Sequence, residues 1–201
     1  MDEKRVGQWA EQWIGRNLDA RRWCYYHLCH VRHVVEDVTE FGREAGVSAP
    51  ELSTLIAAAW LHDTGYATDP DRHEEVSALI AREILPGLGA SSEEMALIAS
   101  LILATDPARP PQTPLEELIR DADVGQLATP NFPHSARLFR RELEQGGTIF
   151  SDAAFWRFER DFLARLHFFT AAARKLRNAG LERSRAFVAG ELARREKEAE
   201  A

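Results

Sequence analysis

Two side chains that can bind a metal ion, His62 and Asp63, stand next to each other at the end of an apolar helical run over residues 52–61. Gly65 follows two positions later. An imidazole and a carboxylate are costly to bury at the end of a core helix unless a partner satisfies them. A divalent cation would be such a partner, because imidazole nitrogens and carboxylate oxygens are common ligands of these ions.

A histidine-rich segment precedes this pair, within a helix predicted over residues 25–45. Its apolar stripe holds Val31, Val34, Val38 and Phe41. At about 100° per residue, His27 and His30 fall on or near that stripe and His33 lies on its flank. Periodicity alone does not decide whether His27 or His30 points into the core.

A pair of acids follows later, on a helix predicted over residues 114–127. Leu118 and Ile119 mark the buried side of this helix. Asp123 lies beside that side, whereas Asp121 lies nearly opposite and is expected to be a solvated or capping acid. Asp123 is therefore the candidate ligand from this helix.

His73 opens another predicted helix and lies in line with the apolar residues Val76 and Ile80. This position is equally compatible with two roles for His73: a contact in the metal site, or a purely structural residue in the first turn of the helix. Two imidazoles and two carboxylates that converge in a helical core would suit an Mn, Fe, Co, Ni, Zn or Mg ion.

The elements that must position these residues all have helical periodicity, and no alternating strand pattern stands out. We therefore predict an all-α fold in a single domain. Helices are expected over residues 3–19, 25–45, 48–62, 71–85, 91–105, 114–127, 134–145, 152–178 and 181–198. The aromatic group at Phe155, Trp156, Phe158, Phe162, Phe168 and Phe169 is expected to be core between the last helices.

The composition of the chain limits the classes of molecule that it can bind and the compartment in which we expect it. The net charge of −7 argues against a nucleic-acid binder, because phosphate contacts need clustered Lys and Arg. The longest apolar run, residues 95–104, is too short to span a membrane. Two cysteines are too few for a disulfide framework, and no signal peptide is recognisable, so we expect a cytoplasmic protein with reduced thiols.

The order His30, then His62-Asp63, then Asp123 resembles the HD-domain superfamily of metal-dependent phosphohydrolases. The segment Tyr-Tyr-His-Leu-Cys-His-Val-Arg-His-Val-Val at 25–35 is similar to the first helix of that family. Alignment through its paired valines places the ligand histidine of the family on His30. His27 then takes the place of a usual asparagine, and Tyr26 replaces a common histidine. The resemblance covers roughly residues 20–130.

The resemblance implies a helical bundle of the HD type, with a metal-binding core over residues 21–130. Residues 1–20 would be a helix packed on that core, and residues 131–201 a C-terminal helical extension. His30, His62, Asp63 and Asp123 would hold one divalent ion per chain. Members with two metals need further histidines after His73, and residues 92–105 contain none.

The implied reaction is hydrolysis of a phosphoester of a nucleotide or another small phosphorylated molecule by a metal-activated water. Asp63 and Glu74 are the candidate catalytic residues, since Glu74 faces nearer the interior than its neighbour Glu75. Further candidates for contacts with substrate or with the ligands are His27, Arg32, His73 and Thr105.

Two other interpretations stay open. The chain could be a catalytically silent HD domain used for ligand binding or regulation, which the replacement at Tyr26 leaves open. It could also be a diiron HD-type oxygenase, which would need a second metal and more histidines. A homodimer through the C-terminal helices is compatible with the sequence. Specificity is expected to come from the loop 106–114 and from the helices after residue 130.

Overall fold

Helices account for most of the part of the chain that the computed structural model describes, which is residues 1–19 and 28–200. No β-strand occurs in these ranges, and the all-α prediction is confirmed. The nine α-helices there are α1 (Glu3–Asn17), α2 (Leu28–Glu44), α3 (Ala49–Leu61), α4 (His73–Ile84), α5 (Ser92–Leu103), α6 (Pro114–Asp123), α7 (Phe132–Gln145), α8 (Asp152–Arg165) and α9 (Ala171–Glu200). None of the helices in the described ranges has the length and apolar character needed to cross a membrane.

Helix α5 begins where its capping sequence predicts. The backbone N–H of Glu94 donates to the hydroxyl of Ser91 at 3.2 Å, and the Glu94 carboxylate accepts from the Ser91 N–H at 2.8 Å. This reciprocal pair satisfies two backbone donors that the first helical turn would otherwise leave unbonded. At α6, the hydroxyl of Thr113 accepts from the backbone N–H of Glu116 at 3.2 Å, and Pro114 takes the first helical position.

Helix α3 lies at the centre of the core, where it packs against α1, α2 and α5. Three consecutive alanines in it, Ala57, Ala58 and Ala59, are fully buried. Because these side chains are small, neighbouring helices can approach α3 on several sides. The C-terminal end of α3 is therefore enclosed by other elements, and the residue that follows, His62, is buried.

The predicted break between the last two helices is wrong in position. Helix α8 ends at Arg165 rather than near residue 178, and α9 begins at Ala171. The intervening segment is held by Asp121, whose carboxylate accepts hydrogen bonds from the backbone N–H groups of Phe169 at 2.7 Å and Thr170 at 2.8 Å. The hydroxyl of Thr170 in turn accepts from the N–H of Ala173 at 3.1 Å and starts α9.

The expectation that Asp121 lies away from the buried side of its helix is also wrong, since this residue is fully buried. Helix α6 is covered on a second side by the segment between α8 and α9, which sequence periodicity cannot reveal. Burial raises the pKa of Asp121, and the hydrogen bonds from Phe169 and Thr170 oppose that effect.

Gly180 does not end a helix, contrary to the predicted break at 178–181, but lies inside α9. A Cβ atom at this position would overlap the backbone carbonyl of Ala128. Glycine is needed because α9 packs directly on the backbone of the short turn over residues 125–128, which follows α6. The predicted domain division near residues 20 and 130 stays a prediction.

Substitution of Gly180 by Ala is expected to destabilise the fold by a few kcal/mol, because the added methyl has backbone and not a movable side chain as its neighbour. Gly190 is the matched control: it lies in the same helix, and a Cβ there meets nothing within 4 Å. Gly190→Ala should be neutral or stabilising by up to about 1 kcal/mol. Urea unfolding of both variants measures the difference, and equal effects would contradict the packing of α9 on residues 125–128.

Candidate metal centre

Three helices bring four predicted ligands to one place. His30 lies on α2, His62 and Asp63 directly follow α3, and Asp123 is the last residue of α6. The side chains of His30, His62 and Asp63 are buried, whereas that of Asp123 is 23% exposed. The cluster is therefore enclosed by protein on most sides and accessible from the side of Asp123.

The distances within the cluster match those between ligands of a single ion. Nε2 of His30 lies 3.3 Å from Nε2 of His62 and 3.1 Å from Oδ1 of Asp123. Asp63 contacts both rings, with Oδ2 3.3 Å from His30 and Oδ1 3.3 Å from His62. Two ligand atoms at about 2.1 Å from one ion are roughly 3.0–3.4 Å apart when the angle between them is octahedral or tetrahedral.

The far side of each imidazole is fixed by a hydrogen bond. Nδ1 of His62 lies 2.8 Å from the carbonyl of Ala59, so it carries the proton and leaves the lone pair on Nε2. Nδ1 of His30 lies 2.7 Å from the side-chain amide of Gln126. A 180° rotation of that amide exchanges its nitrogen and oxygen, and the oxygen would then accept a hydrogen bond from the Nδ1–H group when Nε2 of His30 binds a metal.

The electrostatics of the cluster favour a positive charge at its centre. Burial raises the pKa of Asp123, but the hydrogen bonds and charges of His30 and His62 outweigh it and hold the pKa well below its usual range. Burial lowers the pKa of His62, whereas the charges and hydrogen bonds of Asp63 and Asp123 raise it well above the ordinary value. A proton on His62 and a cation therefore compete for the same place.

The residues fit a divalent ion. Oδ2 of Asp63 is buried and has no hydrogen-bond partner among the described residues, although it faces the centre of the cluster. Ligand atoms of His30, His62 and Asp123 all lie within 4.8 Å of one another. Imidazole and carboxylate donors suit the divalent transition metals and, less well, Mg.

A second pair, His73 and Glu74, lies beside the cluster at the start of α4. Nε2 of His73 is 3.7 Å from Oδ1 of Asp63 and 3.2 Å from Oε1 of Glu74. Its Nδ1 lies 3.0 Å from the carbonyl of Pro70, and its ring stacks on Tyr66. Nδ1 is directed to that carbonyl, so Nε2 is the ring nitrogen that faces the carboxyl groups of Asp63 and Glu74.

The structure does not bring every candidate to the cluster. The exposed guanidinium of Arg32 bonds to Glu11 on α1. The buried hydroxyl of Thr105 donates to the carbonyl of Ile102 at 2.8 Å. His27 and Tyr26 lie outside the described residues.

A cavity of about 180 Å³ opens next to the cluster. His30 and Asp123 form part of its wall, and the other lining residues are Pro107, Val124, Leu127, Ala136, Phe139, Phe158, Glu159 and Phe162. The expectation that the aromatic group is all core is wrong for Phe158 and Phe162, which are 39% and 38% exposed. These two rings form part of the wall of the cavity.

Sequence reasoning missed two residues of the site, Gln126 and Glu159. Glu159 had a detectable signal: it lies between the buried residues Phe155 and Leu163 at four-residue spacing, and a carboxyl on such a stripe is unusual. Gln126 had no such signal, because its contact with His30 depends on how the chain turns after α6.

Comparison with protein families matches residues 28–126 to the model of the HD domain. This chain is a member of the HD-domain superfamily. Among solved structures, it resembles the crystal structure of Bacillus subtilis YpgQ in complex with ADP, with a TM-score of 0.66 and 18% sequence identity over 98% of this chain and 97% of that chain. At this identity the likeness shows the fold alone. A comparison with curated proteins finds no match.

The HD domain is expected to carry one divalent ion, and His62→Ala to remove most of it, because one of two nitrogen ligands is lost. Metal content per chain can be measured by plasma mass spectrometry. His33→Ala is the matched control, since this histidine of α2 bonds instead to the carbonyl of Cys29 at 2.6 Å. Full metal content in His62→Ala, or equal loss in both variants, would exclude the cluster as the metal site.

Burial alone raises the pKa of Glu159 from 4.5 to about 7. The folded state then holds its proton more tightly than the unfolded state, so stability falls as the pH rises from 4.5 to about 7. Glu159→Gln removes that cost and should stabilise the protein at pH 8 by up to about 3 kcal/mol more than at pH 4.5. Urea unfolding at both pH values tests this, with the exposed Asp161→Asn on the same helix as control. A pH-independent difference would show that Glu159 is not held in the neutral form.

Proposed function

We propose that this HD protein is a metal-dependent phosphohydrolase that uses water to cleave a phosphoester of a nucleotide or another small phosphorylated molecule. The proposal rests on one observation above all: two imidazoles and two carboxylates converge at mutual distances that suit one ion, beside an open cavity. Membership of the HD-domain superfamily supports the same reaction class.

The four ligands divide into a buried part and an open part. His30, His62 and Asp63 are enclosed, and Asp123 lies where the cluster meets the cavity. We therefore place the substrate on the side of Asp123. A divalent ion, when bound here, would polarise the phosphoryl group and lower the pKa of a water molecule.

Glu74 is the residue that we propose orients the attacking water and accepts its proton. Burial raises the pKa of Glu74, and this effect is larger than the opposing hydrogen bond and the charge of His73. A base whose pKa is shifted toward neutrality is more effective at physiological pH. His73 holds the Glu74 carboxyl in place through the 3.2 Å contact of its Nε2.

Two observations favour a nucleotide among the small phosphoesters. The solved structure of Bacillus subtilis YpgQ, which has the same fold, contains ADP. In this chain, the cavity beside the cluster is lined by three phenylalanine side chains, which suit a flat aromatic ring.

The test is a panel of nucleotides and other phosphomonoesters, assayed for release of phosphate or pyrophosphate with Mn, Co, Ni, Zn, Fe or Mg added. We expect hydrolysis of at least one nucleotide, and a fall in kcat of about 10²–10⁴-fold in Glu74→Gln, the usual contribution of a general base. Metal content and KM should change little in that variant. Glu75→Gln is the matched control, because the adjacent carboxylate is exposed and bonds to Arg72.

Other results of this panel and of metal analysis would indicate a different function. A protein that binds metal but hydrolyses no member of the panel would be a silent HD domain used for binding or regulation. Two iron ions per chain would indicate a diiron oxygenase. Full activity in both Glu74→Gln and Glu75→Gln would be compatible with a phosphohydrolase but would contradict the role of Glu74 as its general base.

A further inference from the structure

The carboxyl of Glu159 is buried in the wall of the cavity without a partner. The residue is 3% exposed and lies on α8 between the two exposed rings of Phe158 and Phe162. No described residue forms a hydrogen bond or an ion pair with it, and burial is the one cause of its raised pKa. A buried polar group without a partner costs about 1–3 kcal/mol, so its position calls for a ligand that satisfies it.

The lining of this cavity does not suit a phosphate group. The described lining residues include no Lys or Arg, and the carboxylate of Asp123 would repel a phosphate group from the cavity. The volume of about 180 Å³ is below the ~300 Å³ of a pocket that holds a whole drug-sized ligand. The cavity therefore suits one ring of a substrate whose phosphate lies at the metal cluster.

We propose that this cavity is a nucleobase subsite, in which the base packs against Phe158 and Phe162 and donates an N–H hydrogen bond to Glu159. The inference rests on the proposed function, because the position of the base is set by a phosphoester at the cluster of His30 and Asp123. It adds the specificity residue: Glu159 discriminates bases by the N–H donors that they present.

The chemistry of the wall supports this assignment. Stacking on phenylalanine is available to every base, since every base has a π face, and therefore gives binding without selection. A carboxyl group within an apolar wall discriminates between bases, because a base without an N–H donor leaves the carboxyl group buried and without a hydrogen bond.

The experiment compares ligands that differ by one donor group. The pairs are ADP with purine riboside 5′-diphosphate, which lacks the 6-amino group, and GDP with inosine 5′-diphosphate, which lacks the 2-amino group. Calorimetric titration of the purified protein measures the dissociation constants directly, independently of hydrolysis. In at least one pair, we expect the donor-bearing nucleotide to bind about 10–100-fold more tightly, because the other nucleotide leaves the buried carboxyl without a partner.

Glu159→Leu should reduce that ratio to nearly one, because a leucine side chain cannot accept a hydrogen bond from the base. Phe158→Leu is the matched variant: it should weaken both members of each pair by a similar factor and keep the ratio. Asp161→Asn, exposed on the same helix, should change neither. Thermal unfolding of each variant confirms that it is folded.

The outcomes separate this inference from the proposed function. Hydrolysis without discrimination, or discrimination that survives in Glu159→Leu, overturns the subsite and leaves the phosphohydrolase intact. Discrimination that Glu159→Leu abolishes in a protein without hydrolysis supports the subsite and overturns the reaction. Absence of nucleotide binding, or tighter binding of ethanolamine phosphate than of any nucleotide, overturns the subsite, since the cavity would then hold no ligand or an ammonium group.

Discussion

The clustering of two imidazoles and two carboxylates, three of them buried, at the meeting point of α2, α3 and α6 is the constraint on which the rest of the structure depends. Four ionisable groups in an enclosed place are stable only if their charges are balanced and their hydrogen-bonding atoms are satisfied. Carbonyl and amide partners serve the outer nitrogens of His62 and His30. The oxygen of Asp63 that stays without a hydrogen-bond partner points to a cation as the missing balance.

The chain turns sharply after each of the two carboxylate ligands, Asp63 and Asp123, and close packing of neighbouring elements holds both turns. A Cβ atom at Gly65 would overlap the carbonyl of His73, so glycine lets α4 start directly beside Asp63. On the other side, the turn over residues 125–128 is packed between α2 and α9, and the hydroxyl of Ser184 donates to the carbonyl of Leu127 at 2.6 Å. The C-terminal helix α9 thus supports Gln126, and through it the ring of His30.

The sequence predicted what depends on local pattern. Helical periodicity placed Asp123 beside a buried face, and the resemblance to HD domains selected His30 over His27, although His27 lies outside the described residues. Contacts distant in sequence could not be predicted in this way. Asp121 is buried by residues 166–170, and Gly180 lies inside a helix because it meets Ala128. Glu159 lay on a buried stripe, but periodicity could not show that this stripe opens to a cavity beside the cluster.

The central claim is that these four side chains hold one metal ion. Anomalous diffraction from crystals of the purified protein, collected at the absorption edge of the ion that it carries, tests this most directly. One strong peak is expected at about 2.0–2.2 Å from Nε2 of His30, Nε2 of His62 and one carboxylate oxygen each of Asp63 and Asp123, the usual range for such ligands. A peak elsewhere in the molecule, or a fully ordered cluster without a peak in protein that contains metal, would contradict it.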